Sequence, residues 1–266
     1  MSNVPSFTAI VLAGSRSATD PVASDAGVSC KAIASVGGQP MVTRVLDALT
    51  ASRYVEKIII CGPAADAVNE CSELQEYLQR DDIERIDDLD SPSKSVEAAM
   101  SVIGRDVPVF LTTADHALLE TEVVDFFLEQ SAGMGPDATV GLVEHEMILG
   151  HYPEVKRTVI NFQDAGVCGC NLFSFLNERG RAIVPFWRQV EQKRKKPWKL
   201  VLGLLGLPGV LKYAMNTLTR AEALGRISNR LGIQITAVIL PYPRAGIDVD
   251  TVKDRKFVEK ILSESA

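Results

Sequence analysis

Cysteine is scarce in this sequence and shows no pairing pattern. Five cysteines occur among 266 residues, an odd number, and no C-x-x-C pair is present. Structural zinc sites use four ligands at tight spacings, so the usual zinc signature is missing. We therefore expect small, buried thiols in a reducing compartment. The five positions are Cys30, Cys61, Cys71, Cys168 and Cys170.

Basic residues are also fewer than acidic residues. The chain has 28 lysines and arginines against 34 aspartates and glutamates, which gives a net charge of −6 and a pI of about 5.2. This balance argues against a nucleic-acid partner, which a strongly basic domain would attract. The N-terminal segment has no basic stretch followed by an apolar one, so we expect a cytoplasmic protein rather than a secreted one.

Two common phosphate-binding motifs are missing as well. Neither the P-loop pattern G-x-x-x-x-G-K-[S/T] nor the dinucleotide pattern G-x-G-x-x-G occurs. The bulk composition, 46% hydrophobic and 23% charged, is ordinary for a globular protein. The length suits one large domain, and we predict a single domain over residues 1–266.

The order of apolar and amphipathic segments predicts the fold class. Short apolar runs alternate with helical patterns, which is typical of an α/β protein with a mostly parallel sheet and helices on both faces. Residues 14–30 are predicted to be a polar loop, the acidic stretch 81–90 a solvated edge or loop, and residues 176–231 a helical insertion. Two extended segments are expected at 158–162 and 167–175. The predicted strands are 9–13, 55–61, 107–112, 138–143 and 233–240, and the predicted helices are 40–51, 64–79, 95–103, 120–130 and 251–263.

Candidate phosphate-binding residues follow the first predicted strand. Gly14 comes directly after that strand, Ser15 and Arg16 follow in the polar loop, and Lys31 comes directly after the loop. Backbone amides in a glycine-containing loop can bind phosphate oxygens, and cationic side chains can neutralise phosphoryl charge. Taken alone, the stretch is equally compatible with a plain surface loop.

Carboxylates occur at the ends of later strands. Asp115 comes just after the third predicted strand, and Asp248 and Asp250 alternate in GIDVDTVKD, so both could reach one metal ion. Mg²⁺ prefers such oxygen ligands together with substrate phosphates. Because ligands of parallel α/β sheets bind at the carboxyl ends of strands, Gly14 and Asp115 could face one site. Each aspartate could instead cap a loop or a helix.

Read together, these segments resemble a known family. LAGSR with the downstream Lys31 is similar to the L-A-G-G-x-x-x-R-M…K signature of GT-A-type nucleotidyltransferases, and within them to the MobA-like group. KAIASVGGQPMVTRVLDALTAS, TTADHALL and IDVDTVKD resemble further family segments, in the family's order. The resemblance implies a Rossmann-like, three-layer GT-A nucleotidyltransferase fold. The chain departs from the family pattern at Ser15, at Ala117 and in the fourteen residues between Arg16 and Lys31.

The resemblance also implies a role for each matched position. Arg16 would hold the β- and γ-phosphates of a nucleoside triphosphate, and Lys31 the α-phosphate. Asp115 would bind Mg²⁺, with Asp250 as the favoured partner and Asp248 as an outer-shell or second ligand. The implied nucleotide-binding positions are Leu12, Ala13, Gly14, Ser15 and Ser95, of which Ser95 is also expected to cap its helix.

The implied reaction is nucleotidyl transfer, of the EC 2.7.7 type. An acceptor phosphate or hydroxyl attacks the α-phosphorus of the triphosphate in line and releases pyrophosphate. The expected acceptor is a phosphorylated small molecule such as a polyol, sugar or lipid precursor. GCNLFSF resembles a family segment on the acceptor side, which suggests Asn171 as an acceptor contact with Arg157 behind it. Two alternatives stay open, a GT-A glycosyltransferase that uses a nucleotide sugar and a catalytically degenerate nucleotide-binding regulatory module.

The insertion contains a basic run followed by an apolar one. KRKKPWK precedes LVLGLLGLPGVL, a combination suited to peripheral contact with the inner membrane surface through residues 188–212, with Trp198 at the interface. The apolar run of 12 residues between Lys199 and Lys212 falls short of the roughly 20 that cross a bilayer. Alternatively, the apolar face packs on the core or on a second subunit of a homodimer.

Overall fold

The computed structural model describes residues 4–15, 19–193 and 197–264. The chain folds into an α/β structure whose main element is an eight-stranded sheet. The strands are β1 (Phe7–Leu12), β2 (Ser35–Val36), β3 (Gln39–Pro40), β4 (Val55–Cys61), β5 (Ile83–Ile86), β6 (Val109–Thr113), β7 (Ala138–Glu144), β8 (Ile160–Asn161), β9 (Gly166–Phe175) and β10 (Ile235–Ile239).

Helices connect most of these strands. The α-helices are α1 (Pro21–Ala26), α2 (Met41–Thr50), α3 (Ala65–Glu70), α4 (Ser72–Tyr77), α5 (Pro92–Val102), α6 (Thr121–Met134), α7 (His145–His151), α8 (Glu178–Arg181), α9 (Ile183–Lys193), α10 (Pro197–Ala214), α11 (Arg220–Leu231) and α12 (Val252–Glu264). Two short 3₁₀ helices span Lys31–Ile33 and Pro243–Gly246.

The sheet is mostly parallel, as predicted. Its strand order is β10-β7-β9-β6-β1-β4-β5, and β8 pairs with β9 beside this path. The strand β9 runs antiparallel to both β6 and β7, whereas β1 is parallel to β4 and β6. The carboxyl ends of β1, β4, β5, β6 and β7 therefore meet at one edge, which we call the carboxyl edge.

The central strand β1 is buried on both faces, which explains its apolar run over residues 9–12. Its side chains alternate between the two sides of the sheet. Val11 belongs to the core cluster that includes Val45 and Phe127 from α2 and α6. Ile10 belongs to the opposite cluster with Val96 of α5. Helices thus cover both faces of the sheet.

Three local predictions were wrong. The supposed loop 14–30 contains α1, because the Asp20 carboxylate accepts hydrogen bonds from two amides of its first turn and Gly27 ends the helix at φ 69°. The helix predicted over 64–79 is divided into α3 and α4 at Cys71, whose backbone is extended. Ser95 does not cap α5, since that helix begins at Pro92 and the Ser91 hydroxyl accepts from the Lys94 amide.

The region 176–231 is helical, as expected. It contains α8 to α11, and α10 is broken at Gly206, where φ is 67° and ψ is 169°. The acidic stretch 81–90 contributes the edge strand β5. None of the helices in the described parts of the chain has the length and hydropathy of a membrane-spanning segment.

Candidate functional site

The loop after β1 lies in close contact with the neighbouring strand ends. The amide of Ala13 donates to the carbonyl of Cys61, 2.9 Å away. A Cβ on Gly14 would lie 2.3 Å from Oδ2 of Asp88, so only glycine allows that approach. Gly62 has φ 82°, and a Cβ there would lie 2.9 Å from the Gly14 Cα. The first strand thus opens into a tightly held, glycine-lined turn at the carboxyl edge.

Lys31 reaches across to the end of β6. Its ammonium lies 2.5 Å from Oδ2 of Asp115 and 3.8 Å from Oδ1 of Asp250, and it donates to the Val249 carbonyl at 3.0 Å. Burial alone would lower the pKa of Lys31, but attraction to Asp115 and then Asp250 outweighs it and raises that pKa. Lys31 is therefore a firmly charged cation between two carboxylates.

Asp115 is held in place from three directions. The Thr113 hydroxyl donates to its Oδ1 at 2.6 Å, and Lys31 donates to its Oδ2. Its carbonyl accepts from the Val249 amide at 3.0 Å. Burial raises the pKa of Asp115, but the charge and hydrogen bond of Lys31 hold it below its usual value. The result is an ionised carboxylate in a mostly buried position.

Asp250 completes a two-carboxylate arrangement around Lys31. Its side chain is 66% exposed, in contrast to 16% for Asp115. Partial desolvation and repulsion from Asp248 raise the pKa of Asp250. Among the residues described, no group of three or more His, Cys, Asp or Glu is arranged to hold a metal ion unaided. Two carboxylates with one open side do suit Mg²⁺, which completes its coordination with water and substrate phosphates.

Asp248 is engaged by two other segments of the chain. Arg157 forms a short ion pair with its Oδ1, and the amide nitrogen of Asn171 donates to its Oδ2 at 2.7 Å. Burial lowers the pKa of Arg157, but Asp248 more than compensates and raises it. Asn171 has φ 52°, the left-handed conformation that asparagine tolerates better than most residues. Asp248, Arg157 and Asn171 therefore lie beside Lys31, Asp115 and Asp250, which we call the Lys31 cluster. Val249 connects the two groups.

The other predicted nucleotide-binding positions lie around the glycine turn. Leu12 is the last residue of β1, Ala13 follows it, and Ser15 is exposed, whereas Arg16 lies outside the described residues. Ser95 is buried, and its hydroxyl accepts from the Leu89 amide at 2.8 Å. The Cys61 thiol donates to the Ser95 carbonyl at 3.6 Å, which connects this helix turn to the end of β4.

His116 is sealed inside the protein. Its side chain is 1% exposed and lies beside the backbone of Ala245. Burial lowers its pKa, with partial opposition from Asp248 and Asp115. A neutral, enclosed imidazole does not have access to a substrate proton.

Sequence reasoning missed several residues at this edge. Asp88 faces Gly14 although it lies in the acidic stretch interpreted as solvated. The position of Asp88 just after β5 was the available signal, because strand carboxyl ends carry ligands in such sheets. Thr113 and the Val249 carbonyl were also missed. A backbone carbonyl carries no side-chain signal, so nothing in the sequence indicated the latter.

Comparison with known proteins supports the family assignment. The search of curated proteins found no match. A solved structure described as a hypothetical transferase from Thermus thermophilus is 28% identical, with a TM-score of 0.78 over 94% of this chain and 99% of that one. The 4-diphosphocytidyl-2C-methyl-D-erythritol synthase from Anaerococcus prevotii DSM 20548 is 13% identical, with a TM-score of 0.56 over 98% of each chain.

A third structure is similar at the level of the fold. CMP:2-keto-3-deoxy-manno-octonic acid synthetase, solved in complex with CTP, is 12% identical with a TM-score of 0.58, over 98% of this chain and all of that one. The family profile named MobA-like NTP transferase domain matches residues 9–165, which include Gly14, Lys31 and Asp115. Because this match spans more than half of the sequence, the chain belongs to the MobA-like NTP transferase family.

Proposed function

We propose that this protein is an Mg²⁺-dependent nucleotidyltransferase that transfers a nucleoside monophosphate from a triphosphate to a phosphorylated small-molecule acceptor. The observation that carries the proposal is the Lys31 ammonium between Asp115 and Asp250 at the carboxyl edge. A cation and two carboxylates at one point can hold a triphosphate and its counterion together. The glycine turn beside them supplies backbone amides.

Lys31 has the central role in this proposal. It is charged at neutral pH, and its contact with Asp115 fixes the position of its ammonium. On nucleotide binding, Lys31 donates hydrogen bonds to the α-phosphate and stabilises the negative charge of the transition state. No covalent protein nucleophile is required, because positioning and charge stabilisation account for most catalysis in phosphoryl transfer.

Asp115 and Asp250 are the proposed ligands of Mg²⁺. Asp115 is preoriented by Thr113, and Asp250 is the more exposed of the pair. When bound, Mg²⁺ neutralises phosphate charge and orients the triphosphate. Asp248 is the weaker ligand candidate because Arg157 and Asn171 already occupy both of its oxygens. Asn171 and Arg157 stay predicted acceptor contacts, and any such contact would compete with Asp248.

The glycosyltransferase alternative depends on both aspartates of the D-x-D sequence at 248–250. Because Asp248 is already paired with Arg157, the structure supports this alternative less than it supports nucleotidyl transfer, for which Lys31, Asp115 and Asp250 lie together. The regulatory-module alternative needs nucleotide binding without turnover. Assays for the three functions therefore have different outputs: pyrophosphate, a nucleoside diphosphate, or neither.

The test is pyrophosphate release from CTP, GTP, ATP and UTP with Mg²⁺ and a panel of polyol phosphates, sugar 1-phosphates and prenyl phosphates. We expect one triphosphate and one acceptor class to support turnover. The Lys31→Met variant should lose about 10²–10³-fold in kcat/KM, the usual cost of removing one electrostatic stabiliser. Lys57→Met is the matched control, since Lys57 forms an exposed ion pair with Glu84 on the sheet.

Two results would overturn the proposal. One is triphosphate binding with no pyrophosphate from any combination, which would favour the regulatory module. The other is undiminished turnover by Lys31→Met. Release of a nucleoside diphosphate from a nucleotide sugar would instead support the glycosyltransferase.

A further inference from the structure

The strand β9 contains an irregularity beside the candidate site. Its pairing with β7 shifts, so that residues 170–172 of β9 lie opposite the single residue Gly141. Two residues of β9 are therefore extra, and the strand forms a β-bulge there. A Cβ on Gly141 would lie 3.1 Å from the Cβ of Leu172, so a glycine in the partner strand leaves room for the bulge.

Asn171 lies at the centre of this bulge in an unfavourable backbone conformation. Its φ is 52°, in the left-handed region, and Asn216 at φ 54° is the only other non-glycine residue with a positive φ that the structure describes. Asparagine tolerates this region better than most residues, but the conformation is unusual inside a strand. Bulges beside functional sites re-aim side chains, and strained residues concentrate there. The direction of the Asn171 side chain therefore indicates what the bulge achieves.

The bulge directs the Asn171 amide to Asp248, which is 77 positions away in the sequence. The Nδ2 atom of Asn171 donates to Oδ2 of Asp248 at 2.7 Å, and Arg157 pairs with Oδ1 of the same carboxylate. The side chains of Arg157 and Asp248 are both largely buried. A carboxylate accepts hydrogen bonds at both oxygens, and here a donor lies at each of them. Asp248 is therefore fixed from two sides.

Asp248 begins a three-residue segment that ends at the proposed metal ligand Asp250. Between them, the Val249 amide donates to the Asp115 carbonyl at 3.0 Å, and the Val249 carbonyl accepts from the Lys31 ammonium at 3.0 Å. The same ammonium lies 3.8 Å from Oδ1 of Asp250. One short segment thus contacts or contains every member of the Lys31 cluster. A displacement of Asp248 would move these contacts together.

The exposure of Asp250 makes this anchoring important. Its side chain is 66% exposed, so packing around the carboxylate does not fix its position. Its amide donates to Oδ2 of Asp254 at 3.3 Å, an exposed contact at the start of α12. On the other side, Asp248 is held in the protein interior. The buried contacts of Asp248 therefore determine where Asp250 lies relative to Lys31.

We propose that Asn171 is a positioning residue for the metal site of this protein. Through Asp248 it holds the segment 248–250, and that segment keeps Asp250 beside the rest of the Lys31 cluster. In this role Asn171 touches neither the metal nor the phosphates. Partners of this kind orient the ligands of a metal, and their loss typically costs about 10–100-fold in metal affinity or activity. The inference rests on the proposed function, because the site that it serves is the proposed Mg²⁺–triphosphate site.

An acceptor contact by Asn171 is the competing role, and the two roles differ in the binding step that they affect. A positioning residue changes the binding of the Mg²⁺–triphosphate complex before any acceptor is present. An acceptor contact changes the KM for the acceptor and leaves nucleotide binding as it was. Measurements without an acceptor therefore separate the two.

The experiment is calorimetric titration of the full chain with the preferred triphosphate, once with Mg²⁺ and once with EDTA, in the absence of an acceptor. Asn171→Gly removes the amide, and glycine adopts φ 52° readily, so we expect the fold to be retained. The affinity for the Mg²⁺–triphosphate complex should fall about tenfold, whereas the affinity for the metal-free triphosphate should not change. Asn216→Gly is the matched control, because Asn216 has nearly the same φ and lies in the exposed turn after α10. It should leave both affinities unchanged.

An exchange variant tests the contact itself. Asn171→Asp combined with Asp248→Asn exchanges the donor and the acceptor and keeps the net charge of the pair. The hydrogen bond can then form in the opposite direction. We expect this double variant to recover most of the Mg²⁺-dependent affinity that Asn171→Gly loses. Thermal unfolding of each variant verifies that it is folded.

Several results would overturn the inference. Asn171→Gly could bind the Mg²⁺–triphosphate complex as tightly as the wild type, or lose affinity equally with and without Mg²⁺. A change confined to the KM for the acceptor would make Asn171 an acceptor contact, and a folded exchange variant as weak as Asn171→Gly would exclude the hydrogen bond as the cause. Failure of the proposed function is distinguishable from all of these, because the wild type itself would then release no pyrophosphate.

Discussion

Replacement of Arg157 with methionine tests the ion pair beside the site. The side chains of Arg157 and Asp248 are only 13% and 11% exposed, so the substitution leaves a buried carboxylate with the Asn171 amide as its remaining partner. Removing one partner of a buried ion pair costs about 3–5 kcal/mol. We expect about 3 kcal/mol here because Asn171 remains. For a protein of this size that corresponds to a fall in Tm of about 6–12 °C.

A double-mutant cycle measured by urea unfolding separates this cost from lost packing. Asp248→Asn removes the charge that Arg157 neutralises, so the double variant should be about 2 kcal/mol more stable than the sum of the single changes implies. The control is Arg105→Met, because the Arg105–Glu178 pair is highly exposed and should contribute less than about 1 kcal/mol. Strict additivity, or an Arg157→Met loss no larger than the control, would refute the reasoning.

Two further predictions concern the glycine turn and the thiols. Gly62→Ala should destabilise the fold by about 1–2 kcal/mol in urea unfolding, because φ is 82° and the new Cβ would lie 2.9 Å from the Gly14 Cα. The control is Gly225→Ala, which lies in α11 with open space around it and should stabilise the fold by about 1 kcal/mol. Equal effects of the two substitutions on the free energy of unfolding would contradict this prediction. All five thiols are buried, and burial, then the charge of Asp88, raises the pKa of Cys61 to about 12. The native protein at pH 8 should therefore react slowly with a disulfide reagent, and all five thiols should react only after unfolding. Rapid reaction of any thiol in the native protein would contradict this prediction.

The parallel strands were predictable because they lie in the middle of the sheet, where helices cover both faces. Strand segments buried on both faces are apolar, and residues 9–12 of β1 and residues 58–61 of β4 show this in their sequences. The direction of β9 was not predictable, because an extended segment has the same side-chain pattern in either orientation. The short α1 was missed for a related reason. Six residues are too few for helical periodicity to appear, and only the Asp20-Pro21 start indicates a helix.

The candidate site was predictable in its residues but not in its contacts. The family resemblance selected Lys31 and Asp115, which are 84 positions apart, and the structure places their charged atoms 2.5 Å apart. Nothing local in the sequence indicates that Arg157 and Asn171 converge on Asp248, because three distant segments form that contact. The relation of Asp88 to Gly14 likewise depends on the order of β1, β4 and β5 in the sheet.

The central claim is that one site at the carboxyl edge holds both a triphosphate and Mg²⁺. Calorimetric titration of the preferred triphosphate, with and without Mg²⁺, tests it directly. We expect Mg²⁺ to strengthen triphosphate binding to the wild type, and Asp115→Asn to abolish that strengthening. Asp90→Asn, which alters a highly exposed carboxylate paired with Lys94, should preserve it. An Asp115→Asn protein with the wild-type response to Mg²⁺ would contradict the assignment of this site.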